Sequence, residues 1–204
     1  MEILLIGAGG HALSCIDVIE QETIFSVYGL IGQDHEKGLV LHGYKVLGSD
    51  SNLPEILDKC PNALIAVGQI RSANKRIALF ELASGCGYRF PVLVSPSAYV
   101  SPRASLGRGT IVMPGAVVNA GVQVGDNCII NSSALLEHNV LVGDHCHIST
   151  GAILNGDVSV GDANFIGSGS IIREGTSIGD GCLIGMGAHV LKNMDDFSSY
   201  ISNK

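Results

Sequence analysis

The chain has 204 residues, 46% of them hydrophobic and 15% charged, enough for one large domain or two small ones with a core that needs no disulfide staples. A net charge of −7 without any Lys/Arg run excludes nucleic acid or an anionic membrane surface as the main partner. With 27 glycines and no Trp, the composition points to many tight corners around thin apolar layers.

The opening MEILLIGAGG has no basic segment, and its apolar stretch stops at glycines, so it reads as a first strand rather than a leader or a membrane span. In chain order the pattern predicts a strand over Glu2–Ile6, a loop over Gly7–Gly10, a helix over about His11–Gln21 and a strand over Val27–Ile31. A turn at Gln33–Gly38, a strand over Ala63–Val67 and a helix over about Ser72–Ser84 follow. This βαβ order predicts a small Rossmann-like parallel sheet. Pro91, Pro96 and Pro102 mark a change of structure, which sets a boundary near residue 90 and divides the chain into 1–90 and 91–204.

From Val94 to Val190 every sixth residue is aliphatic, without exception, and the residue two places before each next member is small or slender. Gly follows the aliphatic residue in Val124-Gly125, Val142-Gly143, Val160-Gly161 and Ile178-Gly179. A period of six fits neither a helix nor a two-faced strand; it fits a short strand plus a corner, three to a coil. Coils of this kind stack about 4.8 Å apart around one apolar column, with Gly, Asn or Asp taking positive φ at the corners. Cys128, Cys146 and Cys182 fall on the small inward slot and read as packing residues; Asn164 shares their column and can bond to neighbouring backbone. The six cysteines form no CxxC pair, which predicts a reduced, cytosolic protein.

Gly7-Ala8-Gly9-Gly10-His11-Ala12 lies between a strand and a helix, where glycines let the backbone approach a phosphate at a helix N-terminus. An NAD site with Asp34 near the ribose, a nucleotide-sugar or other phosphate site, and a purely structural turn all remain open on this motif. The domain is about half the size of a full dinucleotide fold. His138, two residues past a core position, projects from a corner, where a histidine is as readily a solvated side chain as a base. His145 and His147 follow closely, but spacings of seven and two do not resemble the widely separated ligands of γ-class carbonic anhydrases, so no metal is expected.

Taken together, Ile6-Gly7-Ala8-Gly9-Gly10-His11, the turn at Gln33-Asp34, the strand end Ala66-Val67-Gly68-Gln69 and Glu137-His138 resemble, over essentially the whole chain, the bacterial sugar acyltransferases. These include the UDP-4-amino-sugar and perosamine N-acetyltransferases and the sialic acid O-acetyltransferases. The resemblance implies an α/β Rossmann-like N-terminal domain followed by a left-handed parallel β-helix of hexapeptide repeats. It implies a nucleotide-sugar held by Gly7, Gly9, Gly10, His11, Gln33, Asp34, Gly68 and Gln69, with acetyl-CoA as cosubstrate. His138 is implied as general base and His147 as a contact of the acetyl-thioester. A base must take the proton as the amine attacks the thioester, and imidazole titrates in the useful range. Gly156, eighteen residues beyond His138 and hence one coil away, is a candidate oxyanion donor through its backbone N–H.

Two departures stand out. The family places Asp or Glu after the histidine to orient it, whereas this chain has Asn139, leaving Asn139 or Glu137 for that role. The segment Phe197–Lys204 lacks the usual Gly-x-Pro-Ala, and Lys192 is a candidate for the 3′-phosphate of CoA. The expected reaction is acetyl transfer to the amino group of a UDP- or dTDP-linked 4-amino-4,6-dideoxyhexose in the cytoplasm, for surface polysaccharide or glycan synthesis, by a homotrimer with CoA sites between neighbours. O-acetylation of a sialic-acid-type sugar is the rival.

Overall fold

Strand β1 (Glu2–Ile6) is apolar in four successive positions because both of its faces are covered, and it is an interior strand of a small sheet. The computed structural model describes residues 1–201; Ser202, Asn203 and Lys204, part of the C-terminal segment named above, lie outside the described residues. Helix α1 (Gly10–Glu22) follows β1 and buries Ala12, Cys15, Ile16, Val18 and Ile19, the spacing of one helical face. Then come β2 (Ser26–Ile31), β3 (Val40–Leu41), β4 (Tyr44–Gly48), α2 (Leu53–Leu57), β5 (Ala63–Ile65) and α3 (Asn74–Cys86). The strand order is β3-β4-β2-β1-β5, parallel throughout except for the β3–β4 pair.

The Rossmann-like sheet matches the expectation, with β5 ending at Ile65 rather than Val67. The β3–β4 hairpin and α2 were not expected. The hairpin turns on His42 and Gly43, both with positive φ (53° and 84°), the geometry of a tight two-residue turn. His-Gly lacks the Asn or Asp that usually signals such a turn in a sequence.

Beyond residue 92 the chain winds into a left-handed β-helix of two-residue strands, from Leu93–Val94 to Ser199–Tyr200. The strands pair in parallel with those eighteen residues on, as in Val118 with Leu136 and Leu136 with Leu154, until the last pair, where Leu183 meets Ser199. The strands form three sheets of six, five and seven members. The aliphatic series and the small residues of the repeat lie in one buried column running from Val112 to Val190.

Inside one edge, side chains replace the missing backbone partners. Asn164 donates to the carbonyls of Gly161 and Gly179 at 2.9 and 2.8 Å, and its Oδ1 accepts from the Cys182 N–H at 2.6 Å. On the outside of that edge, Asp144 and Asp162 each accept from the backbone N–H of the aspartate one coil earlier, at 2.7 and 2.8 Å. The corners take positive φ at Asn127, Asn139 and Asp157 as expected, and also at Ser133, His145 and Ala163. The glycines that follow the aliphatic residue do a different job: a β-carbon on Gly143 would lie 2.8 Å from the Gly161 carbonyl carbon of the next coil.

The outward residues give each face its own character. One carries Ser105, Gln123, Leu141, Ser159 and Ser177 and is largely polar. A second carries Leu93, Ile111 and Ile129, which are buried in a common core with Ala12, Ile16 and Ile19 of α1. The third carries Tyr99, Val117, Leu135, Ile153 and Ile171, an apolar stripe that the chain itself covers only in part.

Candidate active site

The glycine loop opens onto a cleft of about 790 Å³ at the C-terminal ends of β1, β2 and β5, where open parallel sheets bind ligands. Gly7, Gly9, Gly10, His11, Gln33, Asp34 and Gly68 all line it, together with Ser49, Asp50, Ser51 and Lys75, which the sequence reading did not single out. The glycines serve two ends. Gly7 (φ 129°) lets β1 and β5 converge, since a β-carbon there would lie 2.8 Å from Val67 Cγ2. Gly9 and Gly10 face open space, with nothing within 4 Å of a built β-carbon. Gly9 caps α1 without a side-chain acceptor, and no acid sits in the first turn, so the positive end of the helix is left for an anion. Gln33 donates its backbone N–H to Glu36 Oε2 at 2.7 Å, which engages that carboxylate and leaves Asp34 exposed at the mouth.

Gln69 does not line this cleft. It is buried, its Nε2 donates to the Asn164 backbone carbonyl at 3.1 Å, and its own backbone carbonyl lies 2.7 Å from His147 Nδ1. Gln69, expected at the substrate, here ties the loop after β5 to the β-helix.

His147 is 7% exposed. With Nδ1 donating to Gln69, its Nε2 accepts from Asn131 Nδ2 at 3.0 Å, and the ring stands edge-on to Phe165 with centroids 5.3 Å apart. Burial pushes its pKa down to about 4, against the opposing hydrogen bond to Gln69, so the ring is neutral. Both ring nitrogens are engaged in this conformation. His11 lies 6.5 Å from it between ring centroids, its pKa pushed to about 3 by burial, with Arg76 and His147 adding to the effect. Its Nε2 has no partner among the described residues.

His138 stands exposed on another edge, at the end of the strand Leu135–Leu136 and beside the apolar third face. The ring covers Gly156, whose N–H has no backbone acceptor among the described residues. Asn139 turns away from the imidazole: its Nδ2 donates to Asp157 Oδ1 at 3.0 Å, one coil on. Glu137 Oε2 accepts from the backbone N–H of His138 at 3.3 Å, not from the ring. Lys192 is exposed, near the C-terminal end of the β-helix. His138, His145 and His147 thus diverge onto one edge, another edge and a face, and no group of three metal-binding side chains converges among the described residues.

The PglD N-terminal domain family matches residues 2–80, and the bacterial transferase hexapeptide (six repeats) family matches residues 103–138 and 157–192. No curated protein matches by sequence. Among solved structures, PerB from Caulobacter crescentus, in complex with CoA and GDP-perosamine, is 30% identical with a TM-score of 0.92, over 99% of this chain and 94% of that one. The acetyltransferase domain of PglB from Neisseria gonorrhoeae, in complex with acetyl coenzyme A, is 31% identical with a TM-score of 0.90, over 99% and 96%. A mutant of the Caulobacter crescentus perosamine N-acetyltransferase with CoA and GDP-perosamine bound is 29% identical with a TM-score of 0.93, over 99% and 94%. With both halves matched and the whole chain superimposed, this protein belongs to the family of sugar N-acetyltransferases that join a PglD N-terminal domain to a hexapeptide-repeat β-helix.

Proposed function

We propose that the chain transfers the acetyl group of acetyl-CoA to the 4-amino group of a nucleotide-linked 4-amino-4,6-dideoxyhexose, with His138 as general base. The observation that carries this reading is the pairing of an exposed imidazole with an unpaired backbone N–H, His138 over Gly156, on the edge of a hexapeptide β-helix. The amine nitrogen attacks the thioester carbonyl carbon as His138 takes its proton. The Gly156 N–H is suited to hold the oxyanion. The C–S bond then breaks, and the thiolate of CoA takes the proton back from the imidazolium, leaving amide and thiol.

The division of labour follows the two halves of the chain. Residues 1–90 hold the nucleotide-sugar, its diphosphate at the uncapped N-terminus of α1 and its ribose beside Asp34; residues 91–204 carry the acetylating edge. The cleft with its helix terminus favours a nucleotide-sugar over a free sialic-acid-type sugar. UDP and dTDP are joined as candidates by GDP, since GDP-perosamine is bound to PerB. A cytoplasmic reaction is consistent with acetyl-CoA and a sugar nucleotide as the proposed substrates.

The apolar stripe Tyr99, Val117, Leu135, Ile153 and Ile171 supports a homotrimer packed through that face, which sets His138 at the boundary between protomers. A monomeric mass by light scattering at full activity would sink the trimer. Thiol release from acetyl-CoA, run against UDP-, dTDP- and GDP-linked 4-amino sugars and a sialic acid, tests the reaction. Release with the sialic acid alone would move the assignment to O-acetylation.

A further inference from the structure

Arg76, in the first turn of α3, is 1% exposed, and the one ion pair among the described residues is Arg108 with Asp126. The guanidinium is thus buried without a carboxylate, an arrangement that is costly unless every donor is well placed. Burial pulls its pKa down to about 10, which still leaves it charged at neutral pH. The partners of its two terminal nitrogens are carbonyl oxygens, while Nε has none among the described residues. One terminal nitrogen donates to the backbone of Ile65 at 2.9 Å and of Val67 at 2.6 Å. The other donates to Asn127, to its backbone carbonyl at 2.9 Å and its Oδ1 at 2.7 Å.

These two pairs of acceptors belong to different halves of the chain. Ile65 and Val67 flank Ala66 at the exit of β5, where Ala66, Val67 and Gly68 form a wall of the nucleotide cleft. Asn127 is a fully buried corner of the β-helix with φ 53°, and its Nδ2 lies 3.0 Å from Nδ1 of His145, the equivalent corner one coil on. The Asn127 carbonyls therefore sit on a repeat whose position is fixed above and below. A planar fork with several donors can bridge two such rigid groups where an ammonium cannot.

We infer that Arg76 is a positioning residue: it fixes the cleft wall against the β-helix, so that the bound sugar reaches the acetylating edge at a set place. The inference rests on the acetyltransferase reading above. Gln69, bonded to His147 and Asn164, is a second tie in the same loop, so loss of Arg76 leaves the halves joined but the wall at 65–68 loose.

The test compares Arg76→Met, which keeps most of the apolar stem, with Arg76→Lys and with Asn127→Gly, which removes the Oδ1 acceptor and tolerates the positive φ. Hydrogen exchange at residues 65–68 should quicken in Arg76→Met and in Asn127→Gly and be partly restored in Arg76→Lys. The KM for the nucleotide amino sugar should rise about tenfold or more, with that for acetyl-CoA unchanged. A wild-type exchange pattern at 65–68 in Asn127→Gly and in any folded Arg76 variant overturns the inference, as does equal damage to both KM values. If the wild type acetylates no nucleotide amino sugar, the reaction assigned above fails by itself, while the exchange comparison still decides the role of Arg76.

Discussion

The imidazole of His138 lies directly over Gly156: a β-carbon built on that glycine would fall 2.5 Å from both Cε1 and Nε2 of the ring. Eighteen residues of sequence separation become one coil of the β-helix, which puts a proton acceptor next to an unpaired N–H.

Two substitutions separate the roles of that pair. His138→Ala should lower kcat by roughly 10²–10⁴-fold, with little effect on nucleotide-sugar binding. Gly156 carries no positive φ, so Gly156→Ala adds only a methyl group where the ring now lies. The displaced imidazole should cost about 10-fold to 100-fold in kcat with an unchanged melting temperature. Full activity in Gly156→Ala would show that the ring position over the glycine is immaterial.

Gly9→Asp tests the cleft. A side chain at Gly9 meets no atom within 4 Å, so the variant should fold, yet it places bulk and negative charge where a diphosphate is expected. The KM for the sugar nucleotide should rise by about tenfold or more and that for acetyl-CoA should stay unchanged. Equal effects on both would contradict the separation of the two sites.

The Asn139 amide bonds to Asp157, one coil on, and not to the imidazole of His138. Asn139→Asp loses the donor that Asp157 accepts from and sets like charges on adjacent coils, so it should destabilise the fold by about 0.2–1 kcal/mol, less in high salt. Thermal melts of the variant that match the wild type at both low and high salt would show that the Asn139–Asp157 contact carries no stability.

Buried, neutral His147 makes stability depend on pH. Its folded pKa, about 4, lies below the ordinary value of 6.5, so the unfolded chain binds the proton first. Stability is complete above about pH 6.5 and should be lost on acidification towards pH 4, by on the order of 3 kcal/mol for this residue alone. His11, lowered to about 3, adds in the same direction. Thermal melts between pH 7.5 and 4.5 should show a shallower slope in His147→Gln than in the wild type, and identical slopes would assign the acid sensitivity elsewhere.

The histidines show where sequence reading reaches its limit. His138, Gly156, Asn139 and Asp157 have their places fixed by counting sixes, because a strictly periodic fold converts position into location. The turn of the Asn139 amide to Asp157 depends instead on which acceptor the next coil offers. His147 carries no local sign that both of its nitrogens are occupied, since its partners are Gln69 and Asn131, 78 and 16 residues away in sequence. Lys75 and the Ser49–Ser51 turn were missed at the cleft for the same reason: helix α3 and the end of β4 reach it only once the sheet has formed.

Sequence alone determined the β-helix, its coil length and its apolar column, because backbone pairing between coils forces the same demand on every eighteenth residue. It also determined the glycine-rich turn at the start of α1, a local steric requirement. Tertiary structure alone decided how the halves meet: Gln69 left the cleft to join the β-helix, and Arg76, one cation among 12 Lys and Arg residues, became a buried bridge. Such contacts depend on long-range desolvation, which draws polar groups from distant segments onto one another and leaves no periodic trace in the chain.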